Sequence, residues 1–269
     1  MTDLRLLQQI ASRAVDRAAA LVTARAVGTV RPKGDRDMVS ELDLAVEEQV
    51  RTFLQKETPE IGFFGEEQGA HRVEGDVTWS LDPVDGTANL VSGLPLCGIS
   101  LGLFRGSRSV LGVIDLPFLK ERFQAAEGQG AFCNGERLRV RSTAALHDAI
   151  IAIGDYAVGE GSVERNAPRL RITQLLTERA LRVRMLGSAA IDLAWVAAGR
   201  LDATITLSNH PWDTAAGVAI VREAGGCVMD SDGRPHQISS QATIATSPDL
   251  RAGILALLEA AREKQCPGA

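Results

Sequence analysis

The sequence is poor in the features that mark several large functional classes. Aromatic residues make up only 4% of its 269 positions, with one Tyr, three Trp and seven Phe. That is too few for the stacking platforms that hold single-stranded nucleic acid. Basic residues do not outnumber acidic ones: 29 Lys and Arg stand against 34 Asp and Glu, a net charge of −5. No electrostatic footprint for a phosphate backbone is present, which excludes nucleic-acid binding as the main task. The four cysteines, Cys97, Cys133, Cys227 and Cys266, are scattered without a CxxC pair, so neither a zinc cluster nor a disulfide framework is indicated. Apolar runs such as Leu94–Leu103 are broken by Gly and Pro and fall far short of a membrane span. The N-terminal stretch is punctuated by Asp and Arg and has no signal-peptide core. The expectation is a cytoplasmic protein with no membrane partner. Repeats, low-complexity tracts and linkers are also missing. One domain is therefore expected over 1–269, built from an N-terminal half of about 1–145 and a C-terminal half of about 146–265, with a cleft between them.

What the sequence does contain is periodic. Leu4, Leu7, Ile10, Ala11, Ala14, Val15, Ala18 and Val22 recur at helical spacing and predict a helix over 4–26; a second is predicted from Ser40 to Lys56. Arg31–Asp35 reads as a polar loop. Short β-like runs at 77–81, 98–104, 110–116 and 122–126 predict an antiparallel or mixed sheet. The second half alternates: strands at 149–153, 181–185, 203–207, 227–229 and 242–245, helices at 163–179, 189–198, 214–224 and 249–263. Such alternation predicts an α/β (α+β) layered fold.

Acidic residues gather in four short segments. In Asp82-Pro83-Val84-Asp85-Gly86-Thr87, an apolar strand runs into two carboxylates split by a proline. A turn there can aim both carboxylates and the Val84 carbonyl at one point, the all-oxygen setting that hard divalent cations want. The Gly86 and Thr87 amides would then open a helix, where an anion is favoured. Read alone, the same residues are equally a turn with Asp85 or Thr87 capping a helix. In Gly65-Glu66-Glu67, neighbouring side chains diverge, so only one acid is expected to enter a site. Asp213, in His210-Pro211-Trp212-Asp213, precedes an apolar helix and by itself reads as its N-cap. Ser40 and Asp43 have capping-box spacing; the functional alternative for Asp43 is to hold a hydroxyl or a metal-bound water.

Together these segments resemble the inositol monophosphatase family of lithium-sensitive, magnesium-dependent phosphatases, over nearly the whole chain. The family's segments occur in order: Asp37–Asp43, Gly65-Glu66-Glu67, Asp82–Thr87, Gly187-Ser188-Ala189-Ala190, and Trp212–Gly217 closing on Glu223–Gly226. The resemblance implies a layered αβαβα sandwich, assembled as a homodimer, that binds two or three Mg2+ ions. Glu66, Asp82 and the Val84 carbonyl would hold the first ion, and Asp82, Asp85 and Asp213 the second. Thr87 and Asp43 would orient and deprotonate the attacking water, the Gly86 and Thr87 amides would hold phosphate, and Gly187, Ser188 and Ala189 would face the alcohol. Ligands made only of oxygen favour Mg2+ over Zn2+.

Two departures stand out. Seven residues before Asp213, where the family pattern has a sugar-contacting Glu, the chain carries Thr206. Threonine cannot reproduce a carboxylate–diol contact, so the substrate-binding wall differs there. The loop from Lys33 to Asp43 is about one residue short, which places Lys33 beside the ligands and not among them. The function implied is hydrolysis of a small alcohol phosphate, myo-inositol 1-phosphate first. Histidinol phosphate is the nearest alternative, and adenosine 3′,5′-bisphosphate or fructose 1,6-bisphosphate rank lower. A non-catalytic regulator would be expected to lack one of these ligands or the Thr87/Asp43 pair, and none is missing.

Overall fold

The computed structural model of the chain describes residues 3–34, 37–71 and 75–263. Helix α1 (Leu4–Ala24) is capped by Asp3, which accepts the Arg5 amide at 2.9 Å, and it buries the periodic residues from Leu7 to Val22. The 31–35 stretch is not a loop: β1 (Val30–Gly34) pairs antiparallel with β2 (Asp37–Ser40), while Asp35 lies outside the described residues. Every position of this strand is exposed, so no apolar alternation announces it. Helix α2 (Glu41–Glu57) follows, capped by Ser40.

Next come β3 (Gly62–Gly65), β4 (Gly69–His71), β5 (Val77–Asp85), the short helix α3 (Thr87–Val91), β6 (Gly98–Arg105), β7 (Arg108–Leu116), β8 (Glu121–Ala126), β9 (Gly130–Cys133) and β10 (Glu136–Arg137). They form an eight-stranded sheet in the order β10-β9-β8-β7-β6-β5-β3-β4, antiparallel except where β3 runs parallel to β5. The second half contributes β11 (Ile150–Ile153), α4 (Ser162–Arg179), β12 (Arg182–Arg184), α5 (Ala189–Ala197), β13 (Ala203–Thr206), α6 (Pro211–Glu223), β14 (Cys227–Met229), β15 (Thr243–Thr246) and α7 (Arg251–Glu263). Its five strands lie in the order β12-β11-β13-β15-β14, parallel on one side of β13 and antiparallel on the other.

The elements stack in five layers. α1 and α2 cover one face of the large sheet and α5 and α6 the other; the small sheet lies beyond α5 and α6, and α4 and α7 close the stack. This is the αβαβα arrangement that the family resemblance implied, and it meets the α/β layering expected from the alternation of strands and helices. Helix α6 is buried along most of its length, from Thr214 to Val221. It approaches the large sheet backbone to backbone, because β6 and β7 present glycines there. A β-carbon at Gly112 would sit 2.2 Å from the Ala216 carbonyl oxygen, and one at Gly102 2.6 Å from the Ala216 nitrogen. Among the described residues, no helix is long and apolar enough to cross a membrane.

The loop entering α6 is tied down by a buried polar cluster. Asn209 Nδ2 donates to the Ile238 and Ser240 carbonyls, both at 3.0 Å, and its Oδ1 accepts from Thr214 Oγ1 at 2.7 Å. His236 Nε2 meets Thr243 Oγ1 at 3.0 Å and Asn209 Oδ1 at 3.3 Å. Burial, reinforced by the Arg222 charge and opposed by Asp230, pushes the His236 imidazole down to about 4. The unfolded chain therefore takes up this proton near its ordinary value of 6.5 while the folded chain refuses it. His236 leaves stability untouched above pH 6.5 and destabilises the fold progressively as pH falls toward about 4, by about 3 kcal/mol in total. Denaturant unfolding across that range should show the loss, and His236→Gln, which does not titrate, should remove that share of the slope.

Candidate active site

The Ser40 cap and the Asp43–Thr87 pair, alternatives on sequence grounds, coexist because Asp43 divides its two oxygens. Oδ2 accepts the Ser40 amide at 2.9 Å and the Ser40 hydroxyl, completing the capping box. Oδ1 accepts the Thr87 hydroxyl at 3.0 Å. The same hydroxyl lies 3.0 Å from the Val84 carbonyl. Asp43 is fully buried at the start of α2.

Asp82 and Asp85 do not lie in a turn; they end β5. Three residues apart on a regular strand, they would face opposite sides of the sheet. The pairing shifts between them, with Asp82 opposite Ser100 and Asp85 opposite Gly98, so β5 carries one extra residue. That bulge restores the parity, and it accommodates Pro83, which has no amide to give. Asp82 Oδ1 accepts the Val84 amide at 2.9 Å. Asp85 serves a helix, but neither of its neighbours: Oδ2 accepts the hydroxyl of Ser188, the N-cap of α5, at 2.7 Å and the Ala190 amide, in the other half of the chain. Gly86 then turns at φ +93°, where a β-carbon would also strike the Leu96 carbonyl at 2.8 Å.

Asp213 is not an N-cap. Helix α6 begins at Pro211, with His210 at the cap position, and Asp213 is its third residue. The Ser100 hydroxyl, on the strand position opposite Asp82, reaches the Trp212 carbonyl at 3.3 Å and joins the start of α6 to the acidic strand. Trp212 packs edge-on against Phe64 and stacks with His210. The two glutamates meet at one cation: Lys33 Nζ lies 2.9 Å from Glu66 Oε1 and 3.0 Å from Glu67 Oε1. Burial alone would lower the Lys33 ammonium, but these two carboxylates raise it above its ordinary value. Burial pushes Glu67 up to about 7 against the pull of Lys33.

Electrostatics mark Asp82 as the centre. Its carboxyl is raised well above the usual range, first by burial and then by the charges of Glu66, Asp85, Asp213 and Asp43. Asp85 is pushed up to about 6 by burial, against the Ala190 and Ser188 hydrogen bonds. The acids gather without closing: among the described residues, no three His, Cys, Asp or Glu side chains form a ready metal cage. A cavity of about 590 Å3 opens beside them, and Asp85, Asp213, Gly187, Ser188, Ala189 and Thr206 all line it. The sequence reading missed several neighbours. Glu47 lies one turn after Asp43 on α2. Asp192 is a lone acid in the apolar α5, with an Oδ1 that has no partner among the described residues. Arg165 and Arg169 line the cavity from α4. An acid or base inside a helix reads as solvated surface until the opposite wall is known.

A five-layer α/β stack with buried carboxylates at a strand end, opening on a polar cavity, is an enzyme architecture. Residues 3–263 match the inositol monophosphatase family, and the chain belongs to it; it is a phosphomonoesterase. It is 37% identical over 235 residues to the inositol-1-monophosphatase ImpA of Mycolicibacterium smegmatis, covering 87% of this chain and 84% of that one. It is 39% identical over 201 residues to a Thermotoga maritima protein named fructose-1,6-bisphosphatase/inositol-1-monophosphatase, covering 75% of this chain and 74% of that one. Among solved structures, the inositol monophosphatase of Anabaena superposes with a TM-score of 0.85 at 30% identity, covering 99% of this chain and 98% of that one.

The repulsion around Asp82 has a measurable consequence. Asp82→Asn keeps an oxygen for the Val84 amide and removes one of the crowded charges. In excess chelator its melting temperature should rise above that of the wild type, by about 2–4 °C for each kcal/mol of repulsion relieved. An unchanged or lower melting temperature would show that the acids do not repel one another appreciably.

Proposed function

We propose that this site hydrolyses a small alcohol phosphate, myo-inositol 1-phosphate by preference, with two or three Mg2+ ions held by Glu66, Asp82, the Val84 carbonyl, Asp85 and Asp213. The observation that carries the reading is the crowding of Glu66, Asp85, Asp213 and Asp43 around the buried Asp82, beside the Thr87–Asp43 hydrogen bond. The donor set suits hard cations, being all oxygen and strongly anionic with no His or Cys in it. When bound, such ions neutralise a phosphate dianion, lower the pKa of a coordinated water and stabilise the departing alkoxide.

The chain's own residues do the rest. The Thr87 hydroxyl donates to Asp43 Oδ1; as the attacking water gives a proton to the Thr87 oxygen, the hydroxyl proton passes to Asp43. Ser40 holds the other oxygen of Asp43 and keeps the carboxylate from rotating. The Gly86 and Thr87 amides would donate to phosphate oxygens, and the backbone of Gly187, Ser188 and Ala189 would bound the alcohol. Residues from both halves contribute, which supports one catalytic unit over 1–269. A homodimer sensitive to lithium is the accompanying proposal and rests on the resemblance; the cytoplasm is proposed as its location.

A second reading keeps the chemistry and changes the alcohol. Arg169 Nη2 donates to the Leu207 carbonyl at 2.6 Å, beside Thr206, and Nη1 to the Arg165 carbonyl at 2.6 Å. Among the described residues, neither Arg165 nor Arg169 forms an ion pair. Burial and the Arg165 charge push the Arg169 guanidinium down. With Thr206 in place of a carboxylate, this wall suits a second anionic group, as in a bisphosphate, better than the protonated amine of histidinol phosphate. Asp155 and Asp192 line the same cavity and offer acceptors to hydroxyls. Phosphate release from myo-inositol 1-phosphate, histidinol phosphate, adenosine 3′,5′-bisphosphate and fructose 1,6-bisphosphate separates the readings by kcat/KM.

Two outcomes are expected for the metal reading. Excess chelator should abolish turnover, since the carboxylates alone repel the substrate. Asp213→Asn should lower kcat/KM by at least the roughly 10- to 100-fold that loss of a mere supporting partner costs a metal site. Because Asp213 is not the cap of α6, its fold should be intact by circular dichroism. Near-normal turnover at saturating Mg2+ would remove Asp213 from the ligand set.

A further inference from the structure

We propose that Glu47 is a positioning residue of the metal site: its buried carboxylate receives the backbone of the turn that carries Glu66, and so sets affinity for the first ion without touching it. The inference rests on the metal reading above. Glu47 is fully buried on α2, one helical turn beyond Asp43. Its oxygens each take one amide of the turn, Oε2 from Glu67 at 2.8 Å and Oε1 from Gln68 at 2.8 Å. The carboxylate lies against the α-carbon of Gly65, where a β-carbon would stand 2.5 Å from Glu47 Cδ. Glu47 thus grips the chain on both sides of Glu66, at residue 65 before it and residues 67 and 68 after it. The Glu66 amide is itself fixed to the Leu81 carbonyl at 3.2 Å, next to Asp82. The backbone of Glu66 is immobilised between α2 and β5, and only its side chain is left to swing between Lys33 and a cation.

Stability alone does not account for Glu47. A buried carboxylate is costly unless compensated, and among the described residues no Lys or Arg nitrogen lies within ion-pair distance of it. An apolar side chain would fill the same space, but it could not receive two amides. Residues that orient a ligand from behind typically carry a 10- to 100-fold share of metal affinity.

The test is direct binding of Mn2+, an octahedral oxygen-seeking ion like Mg2+, followed by the electron paramagnetic resonance of the free ion. Glu47→Gln keeps the shape and one oxygen but turns an NH2 toward a backbone N–H. Its dissociation constant for the tightest Mn2+ should rise about 10- to 100-fold. The KM for metal should rise in parallel, with kcat at saturating metal close to that of the wild type. Gly65→Ala pushes the carboxylate off the turn without changing charge, and it should weaken Mn2+ in the same direction. Because both act through one contact, the double variant should fall short of the product of the two. Gly65→Ala also carries the test if Glu47→Gln does not fold. Folded variants with wild-type Mn2+ affinity, whatever their melting temperature, would overturn the proposal. Loss of kcat at unchanged affinity would overturn it too. A wild-type protein that binds no Mn2+ would sink the metal reading itself, and Glu47 with it.

Discussion

Like charges confined to a buried space are the constraint to which the rest of the structure answers. Asp82 is surrounded by Glu66, Asp85, Asp213 and Asp43, and Lys33 supplies one cation, to Glu66, at the edge of the group. Among the described residues, no basic side chain pairs with Asp82, Asp85 or Asp43. The fold holds these three by local donors: the Val84 amide for Asp82, the Ala190 amide and Ser188 hydroxyl for Asp85, the Ser40 amide and hydroxyl for Asp43. Such donors fix orientation while leaving the net charge in place, and this is the state that a cationic cofactor completes.

The layering follows from the same demand. Four of the five acids sit on α2, the turn after β3 and the end of β5, all in the first half; Asp213 arrives on α6 from the second. Bringing it in requires α6 to lie with its backbone against the large sheet, and the bare α-carbons of Gly102 and Gly112 permit that approach. Asp85 answers in the opposite direction by receiving the Ser188 hydroxyl and the Ala190 amide at the start of α5. The halves are therefore joined at the chemistry as well as through the shared core of α5 and α6.

Much of this was legible in the sequence, and the reasons for the remainder are physical. Helices with an apolar stripe, α1 and α2 among them, appeared within one or two residues of their ends, because burial on one face imposes the period. The ordered acidic segments pointed to the site before any coordinate did. The hairpin of β1 and β2 was missed because all of β1 is exposed and carries no alternation. The bulge at Pro83 was missed because register belongs to the pair of strands and not to either one. Taken alone, Asp213 read as a cap because Pro211 starts α6 three residues before its buried face begins at Thr214. Glu47 went unnoticed because a helical Glu reads as solvated until the turn above it is known.

The shared duty of Asp43 has a consequence for reading relatives of this chain. One oxygen closes the α2 cap and the other holds Thr87, so the residue answers to two separate selective pressures. A descendant that abandoned hydrolysis would still lose helix stability by giving up this carboxylate. An intact aspartate here is thus weak testimony of activity. On the roles proposed for them, Thr87 and Asp82 make better witnesses: the hydroxyl supports no cap, and a crowded buried acid is a liability wherever its chemistry is no longer wanted. In a diverging lineage those two positions should decay first, and a survey that tells working enzymes from retired ones should look there.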